Sequence, residues 1–219
     1  MIGSADLEEL KTTIQAHSGM NELKRFGENL KKNALNERNL KIFFATLWAF
    51  YRQTPSGILN LSLRVNDYWD KLDMWHAMAH AAYLLYAVVD EFGLDTRGRM
   101  KLTHHQLFKD AADYFNITPD ELVSSKNILD AGKDIGSLSF EYYRHKSIPE
   151  GLGFHFASEL TSLPEFECFL DGFWQHKDIY KFSSQIKTPL NFFSIHTAVE
   201  ASHRLTSEIM LQKYFQVEA

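Results

Sequence analysis

Three side chains that can bind a metal ion lie close together near the carboxyl end of the chain: His196, Glu200 and His203. They stand at positions i, i+4 and i+7, so at about 100° per residue they fall within roughly a 60° arc of an α-helix. Phe192 and Phe193 lie beside them, so this face of the helix is expected to point into a core. Two imidazoles and a carboxylate are costly in apolar surroundings unless a partner compensates them. A metal ion would compensate all three at once.

Further acids and histidines occur earlier in the chain. Glu159 lies in an otherwise apolar helical stretch, and Glu91 ends another such stretch, with Asp90 as the alternative inward-pointing acid. His104 and His105 follow after a loop, and neighbouring residues of a helix cannot both face a core. Carboxylates and imidazoles on separate helices form the di-metal sites of helical bundles. This mixture of ligands suits iron or manganese better than a thiolate zinc site does.

The same residues also have purely structural interpretations. Glu200 could pair with Arg204 at i+4 on a half-solvated helix face. Glu159 could form a salt bridge with His155, one turn earlier. The metal interpretation is preferred only because acids and histidines that could join one site occur in several segments of the chain.

Two other sets of residues are assigned to packing. His76 and His80 are spaced i, i+4, as metal ligands can be, but no acid joins them within their helix. A hydrogen-bonded packing role is therefore expected for them. Tyrosines are also expected mostly in the core, and the sequence selects none of them for radical chemistry: Tyr51, Tyr83, Tyr86, Tyr142 and Tyr143.

The composition narrows the classes of function. The chain has 219 residues, 45% hydrophobic and 23% charged, as in a globular protein with one large domain. The net charge of −5, without a basic block, argues against nucleic acid as a partner. Neither a membrane span nor a secretory signal is expected, because no long uncharged apolar stretch occurs. The single cysteine, Cys168, forms no internal disulfide, and a cytoplasmic location is expected.

Helical spacing dominates the sequence. Glycine (11) and proline (5) are sparse and alternating β-branched runs are absent, so we predict an all-α, single-domain bundle of about seven to nine helices. We assign residues 1–36 to peripheral N-terminal helices and residues 37–215 to the core bundle. The core elements are predicted at 37–53, 58–65, from Asn66 or Asp67 to Phe92, 103–115, from Thr118 to Arg144, 152–163 with its end at Pro164, 165–174, 179–183, and from Pro189 to near Phe215.

Three motifs, in this order, resemble the haem-oxygenase-like di-metal oxidases and oxygenases, and among them the CADD-like proteins. The first is Asp90-Glu-Phe-Gly93 followed by His104 or His105 ahead of Leu107-Phe108, which is similar to the family's Glu-aromatic-Gly and His-x-x-Leu-aromatic pattern. His104 matches by its distance to Leu107, and His105 is the adjacent alternative. The second is the helical Glu159 in mid-chain. The third is His196-x3-Glu200-x2-His203, where the family has His-x3-Asp-x2-His. The motifs span residues 90–203, and the all-helical layout extends the likeness over most of the chain.

The resemblance implies a haem-oxygenase-like fold and an oxidative enzyme. Such an enzyme uses two iron ions, or iron and manganese, with O2 as co-substrate, to oxidise a small organic molecule. The sequence departs from the family at Glu200, which is one methylene longer than the aspartate, and in the longer interval between Glu91 and His104. These departures are compatible with one strong and one labile metal position. The metal ligands implied by the resemblance are Glu91, His104, Glu159, His196, Glu200 and His203.

Other functions are known on the same fold. A TenA-like, metal-free enzyme would need a nucleophile, for which Cys168 is the only candidate. A haem-degrading enzyme would need an early proximal histidine, and His17 is the only one. A CADD-like protein-interaction module needs no metal. The many aromatic residues leave room for a homodimer, although the sequence assigns no interface.

Overall fold

We describe the fold from a computed structural model, in which residues 4–95, 97–182 and 188–217 are described. These residues form ten α-helices and no strand, and the prediction of an all-α bundle is confirmed. Nine of the helices have eleven residues or more, and one has five. The helices are α1 (Ser4–Gln15), α2 (Ser18–Lys32), α3 (Glu37–Tyr51), α4 (Thr54–Asp73), α5 (Ala77–Glu91), α6 (His104–Tyr114), α7 (Pro119–Val123), α8 (Asp130–Arg144), α9 (Ile148–Gln175) and α10 (Asn191–Val217).

Side-chain caps fix the start of several helices where the sequence predicts them. Thr103 accepts a hydrogen bond from the backbone N–H of Gln106, whose side chain in turn accepts one from the backbone N–H of Thr103. Thr118 and Glu121 form the same reciprocal pair at the start of α7. Each pair satisfies two of the N–H groups that a helix N-terminus leaves unbonded. The first of them places His104 at the first position of α6.

The predicted helix boundary near Asn66 is wrong, because α4 continues through it to Asp73. The buried face of α4 is uninterrupted and consists mainly of Ile58, Leu61, Val65 and Trp69. The chain breaks only after Asp73, whose carboxylate accepts a hydrogen bond from the Trp75 backbone N–H and lies 2.6 Å from Nδ1 of His76. α5 is therefore a separate helix, and Glu91 is its last residue.

The prediction that Pro164 ends a helix is also wrong. α9 continues through this proline and has 28 residues. A proline inside a helix removes a backbone hydrogen bond and costs about 3 kcal/mol. Burial of large side chains on both sides of the proline, such as Phe156 and Phe166, offsets that cost.

Conversely, the helix predicted from Thr118 to Arg144 is two helices, α7 and α8. Tertiary contacts end the first of them: the Leu129 backbone N–H donates to the hydroxyl of Thr46 on α3, and the Asn127 side chain donates to the carbonyl of Glu121. Residues 179–181, predicted as helical, form a turn, and residue 183 lies outside the described residues.

α8 approaches α3 closely through two glycines one turn apart. A Cβ added to Gly136 would lie 2.6 Å from the carbonyl oxygen of Ala49, and one added to Gly132 would lie 2.7 Å from the methyl carbon of Thr46. A larger residue at either position would push the helices apart, because the Cβ atom of a real side chain does not come this close to its neighbours. α3 and α8 therefore form one tight wall of the bundle.

The apolar core has two clusters of side chains, and α9 and α10 contribute to both. Phe166 and Phe193 belong to the first cluster, and Phe156 and Met210 belong to the second. The two helices run antiparallel, so the middle of each lies between the clusters. A polar layer occupies that level of the bundle, and it contains the residues that the sequence selects as metal ligands.

The N-terminal helices pack on this core. Leu30 of α2 lies against Gly172 of α9, where an added Cβ would be 2.5 Å from the leucine side chain, and Leu7 of α1 is buried in the second cluster. Their assignment as a peripheral unit, residues 1–36, stays a prediction. None of the described helices is long and apolar enough to cross a membrane.

Candidate metal centre

The six residues selected from the sequence come together as two neighbouring groups of three. Within each group, one nitrogen or carboxylate oxygen from every residue lies within 4.8 Å of the others, which is close enough for one ion to contact all three. The groups draw on four helices: α5, α6, α9 and α10. The first group is Glu91, His104 and His196, and the second is Glu159, Glu200 and His203.

The antiparallel register of α9 and α10 builds most of this arrangement. Glu159 Oε2 lies 3.7 Å from Nδ1 of His203. One turn further along α9, the Ser162 hydroxyl donates to Glu200. Phe166, another turn on, stacks on His196 with ring centroids 4.0 Å apart. Successive turns of α9 thus contact successively earlier turns of α10. Ser162 also holds the side chain of Glu200, which is longer than the aspartate of the di-metal family.

Backbone contacts orient His196. Its Nδ1 lies 2.6 Å from the carbonyl oxygen of Phe192, one turn earlier on α10, so this nitrogen carries the proton that is donated to the carbonyl. The other nitrogen, Nε2, then has its lone pair free, and it lies 3.8 Å from Glu91 Oε1. A histidine fixed by one nitrogen in this way presents the other to a metal ion. His196 is 4% exposed, so the side chain cannot serve a surface role.

His104 and His105 point in different directions. His104 is 3% exposed, and its Nδ1 lies 3.1 Å from Glu91 Oε1. His105 turns toward α3, where its Nε2 lies 3.3 Å from the carbonyl oxygen of Tyr51 and its ring packs on Trp48. The structure therefore places His104 in the first group and leaves His105 to pack between helices.

This difference predicts opposite outcomes for two adjacent substitutions. His104→Ala removes a candidate ligand of the first group, and we expect the protein to bind about one metal ion fewer per chain, because two ligands rarely retain an ion that needs more. His105→Ala, the matched control, keeps both ions. Elemental analysis after equilibrium dialysis measures both variants. Equal metal content in the two variants would contradict the placement of His104.

Asp90 and Glu91 both face the candidate centre, whereas sequence reasoning treated them as alternatives. Glu91 belongs to the first group. Asp90 Oδ2 lies 3.4 Å from Nε2 of His104 and 3.4 Å from Nε2 of His203, so one carboxylate oxygen reaches a histidine of each group. Sequence spacing gave no sign of this double contact, because His203 lies more than a hundred residues further along the chain.

Loss of the Asp90 carboxylate is therefore expected to weaken metal binding in both groups. Residues that hold metal-ligating histidines typically contribute about 10–100-fold to metal affinity. We expect Asp90→Ala to show a loss of that size at both positions, measured by competition with a metal-binding dye. Asp113→Ala on the surface of α6 serves as the control and binds metal normally. Weakening at one position alone would show that Asp90 serves a single group.

Opposite charges dominate the electrostatics of the first group. Burial by itself raises the pKa of Glu91, but the charge of His104 and the contacts with His104 and His196 hold it well below its usual range. Burial by itself lowers the pKa of His104, but the charge of Glu91 and the contact with Asp90 raise it to about 10. In the absence of metal, the imidazolium of His104 thus supplies the positive charge that the carboxylate of Glu91 needs.

The second group contains two neighbouring carboxyl groups, Glu159 and Glu200. Burial, followed by the charge of Glu200, raises the pKa of Glu159 well above its usual range. Burial lowers the pKa of His155 to about 3, so this histidine is neutral although its Nδ1 lies 3.5 Å from Glu159. His155 is therefore a neutral neighbour of Glu159 and not the salt-bridge partner considered from the sequence. The pair considered for Glu200 and Arg204 also does not form, since Glu200 is buried and Arg204 is exposed.

Three buried polar atoms of this layer lack a hydrogen bond: Asp90 Oδ2, His104 Nδ1 and His203 Nε2. Each lies within ion-pair distance of an oppositely charged group, but in an orientation that makes no hydrogen bond. Unsatisfied buried polar atoms are rare and call for a missing partner. A metal ion in the first group would satisfy His104 Nδ1, which faces Glu91, whereas Asp90 Oδ2 and His203 Nε2 face each other. Because each group also joins imidazole nitrogens to carboxylate oxygens, the residues present suit a two-ion site.

A cavity of about 310 Å³ adjoins both groups. Five of the six candidate ligands line it, together with apolar residues of α3 and α8, including Leu47, Phe50 and Ile135. It reaches Ala131, which is exposed on α8. The volume lies at the small end of the range for ligand pockets. The candidate centre is thus buried but adjoins space for a compact molecule.

The residues needed by the alternative functions lie elsewhere. Cys168 packs between α9 and α2, where an added Cβ on Gly27 would meet its sulfur, and burial raises the pKa of its thiol to about 11. It is not among the described residues that line the cavity. His17 is exposed and caps α2. His80 stacks on Trp69, as the expected packing role requires, but its buried Nδ1 makes no hydrogen bond. His76 is exposed, so the packing role expected for it is wrong.

Comparison with known proteins returns no match for the chain, neither to a family model nor to a curated protein. The likeness to the haem-oxygenase-like di-metal proteins therefore rests on the three motifs alone.

Proposed function

We propose that the protein is a non-haem di-iron, or iron–manganese, oxidase or oxygenase that uses O2 to oxidise a small organic substrate. One observation carries the proposal: two buried groups of imidazoles and carboxylates lie side by side in a helical bundle, next to a cavity. Mixed nitrogen and oxygen ligands on several helices are typical of carboxylate-bridged di-metal sites. Bound iron would supply the electrons and the open coordination positions that O2 needs.

Each set of residues has a distinct part in this function. Glu91, His104 and His196 would hold one ion, and Glu159, Glu200 and His203 the other. The carboxylates balance the charge of the ions, while the neutral imidazoles fix their position. Asp90 would keep one histidine of each group in place. The apolar side chains of the cavity exclude water from the reacting molecules, which protects reactive species from side reactions.

Anaerobic loading with Fe(II) tests the proposal. We expect the purified protein to bind two iron ions per chain, as the two groups require, and to change its absorbance when O2 is admitted. Binding of fewer than about one iron per chain, or the absence of any absorbance change, would contradict it. A cytoplasmic location and a homodimer stay predictions from the sequence.

A further inference from the structure

A polar pair lies in the wall of the cavity, apart from the six candidate ligands. The hydroxyl of Tyr51 on α3 donates to Glu165 Oε1 on α9 at 3.1 Å. Both residues line the cavity, as does Thr161, which lies one turn before Glu165 on the same face of α9. The rest of the nearby wall is largely apolar, with Leu47, Phe50 and Phe166 among its residues.

Glu165 has no cationic partner in the described part of the chain. No ion pair of Glu165 is found there, and no lysine or arginine is among the described residues that line the cavity. Burial raises the pKa of Glu165 to about 7, the hydrogen bond from Tyr51 opposes the shift, and the charge of Glu200 adds to it. Glu165 is half-buried, and without a cation its ionised form is disfavoured. A positively charged ligand in the cavity would stabilise that form.

The charge of the loaded centre leads to the same conclusion. Two divalent ions are balanced by the four acids around them, because the histidines that bind metal are neutral. Those acids are Asp90, Glu91, Glu159 and Glu200. When the carboxyl of Glu165 is ionised, it adds one negative charge to the cavity wall that these ions do not compensate, and a bound cation would favour that ionised form. A carboxylate substrate would face this charge with no lysine or arginine to offset it, whereas an ammonium group would neutralise it.

We propose that the cavity binds a primary amine with a compact apolar body, and that the Glu165 carboxylate holds the ammonium group. The inference rests on the proposed function and names the class of its substrate. An ammonium has three hydrogens to donate, and three residues that line the cavity carry side-chain oxygens for it: Glu165 with its carboxylate, and Tyr51 and Thr161 with their hydroxyls. The last two donate to Glu165 and to the Ala157 carbonyl, so their lone pairs are free to accept.

Calorimetric titration of the anaerobic Fe(II)-loaded protein tests this. The probes are three molecules of similar size: 2-phenylethylamine, 2-phenylethanol and 3-phenylpropionate. We expect the amine to bind at least about tenfold more tightly than either of the others, since a charge-assisted hydrogen bond is roughly twice as strong as a neutral one. Equal or tighter binding of the carboxylate, as direct ligation of it to the metal would give, overturns the inference.

Two matched variants locate the recognition. Glu165→Gln keeps the shape of the side chain and removes its charge, and we expect it to lose the preference for the amine. Glu167→Gln changes an exposed acid two residues away and keeps that preference. Glu165 also borders a second cavity under α2. If it serves only that outer side, Glu165→Gln leaves the preference unchanged, and the inference fails.

Iron content measured on the same samples separates the two proposals. Normal iron content without a preference for the amine contradicts the substrate class alone. Absence of iron in the wild-type protein contradicts the proposed function and, with it, the inference. If Glu165→Gln does not fold, Tyr51→Phe provides the second test, because it removes one of the three oxygens while keeping the ring, and we expect it to weaken binding of the amine more than that of the alcohol.

Discussion

We expect His196→Ala and His203→Ala each to remove one metal ion and to reduce O2-dependent oxidation to the background rate. Each histidine belongs to a different group, so each variant is expected to keep the ion of the other group. Loss of an outer-shell residue already weakens metal binding about 10–100-fold, and loss of a direct ligand should weaken it more. Oxidation stops in both variants because the proposed chemistry needs both ions. Metal content per chain and O2 consumption are the two measurements.

The control for this pair is His145→Ala, which changes an exposed histidine at the end of α8. It is expected to keep two ions and full activity. The same variants distinguish an oxidase from a protein-interaction module. His196 is buried, so its replacement is expected to leave the surface unchanged, and circular dichroism tests whether the fold of the variant is intact. Full activity of His196→Ala would contradict the role assigned to the first group.

Phe44→Ala is expected to cause a large loss of stability, because Phe44 is one of the fully buried rings of the first core cluster. Phe44 has 0% exposure and makes ring contacts with several other phenylalanines, including Phe108 and Phe115 at centroid distances of 5.5 and 5.4 Å. A phenylalanine-to-alanine change in a core costs about 3–5 kcal/mol, from lost burial and the cavity left behind. For a chain of this size, that lowers the Tm by roughly 6–20 °C.

Thermal unfolding of the metal-free protein measures this effect without the contribution of bound ions. Phe140→Ala is the matched control, since Phe140 is 42% exposed on α8. Surface substitutions usually change stability by no more than about 0.5 kcal/mol, and we expect a small shift for this one. Similar shifts in the two variants would show that the cluster around Phe44 does not hold the fold together as the structure indicates.

Local sequence spacing predicted that three of the six candidate ligands lie close together. His196, Glu200 and His203 share one face of one helix, so their proximity follows from helical geometry alone. Their meeting with Glu159 depends on the register of α9 against α10, which spacing within a helix does not give. Whether His104 or His105 faces the centre depends on the rotation of α6 about its axis. In the observed rotation, His105 contacts Trp48 and Tyr51.

Helix type was predictable, and so were the helix starts capped by Thr103 and Thr118, whereas several other boundaries were not. The continuous α4 follows its buried face past Asn66, and α9 runs through Pro164 because burial on both sides outweighs the local cost. The break between α7 and α8 involves Thr46, which lies 83 residues before the Leu129 that it bonds. The pair of Tyr51 and Glu165 was missed for the same reason, since 114 residues separate them. Nonlocal contacts decided each of these features.

Anomalous diffraction from crystals of the iron-loaded protein tests the central claim most directly. We predict two peaks at the iron edge, one among Glu91, His104 and His196 and the other among Glu159, Glu200 and His203. Data collected at the manganese edge identify an iron–manganese pair. Peaks at other positions, or none in this polar layer, would contradict the account.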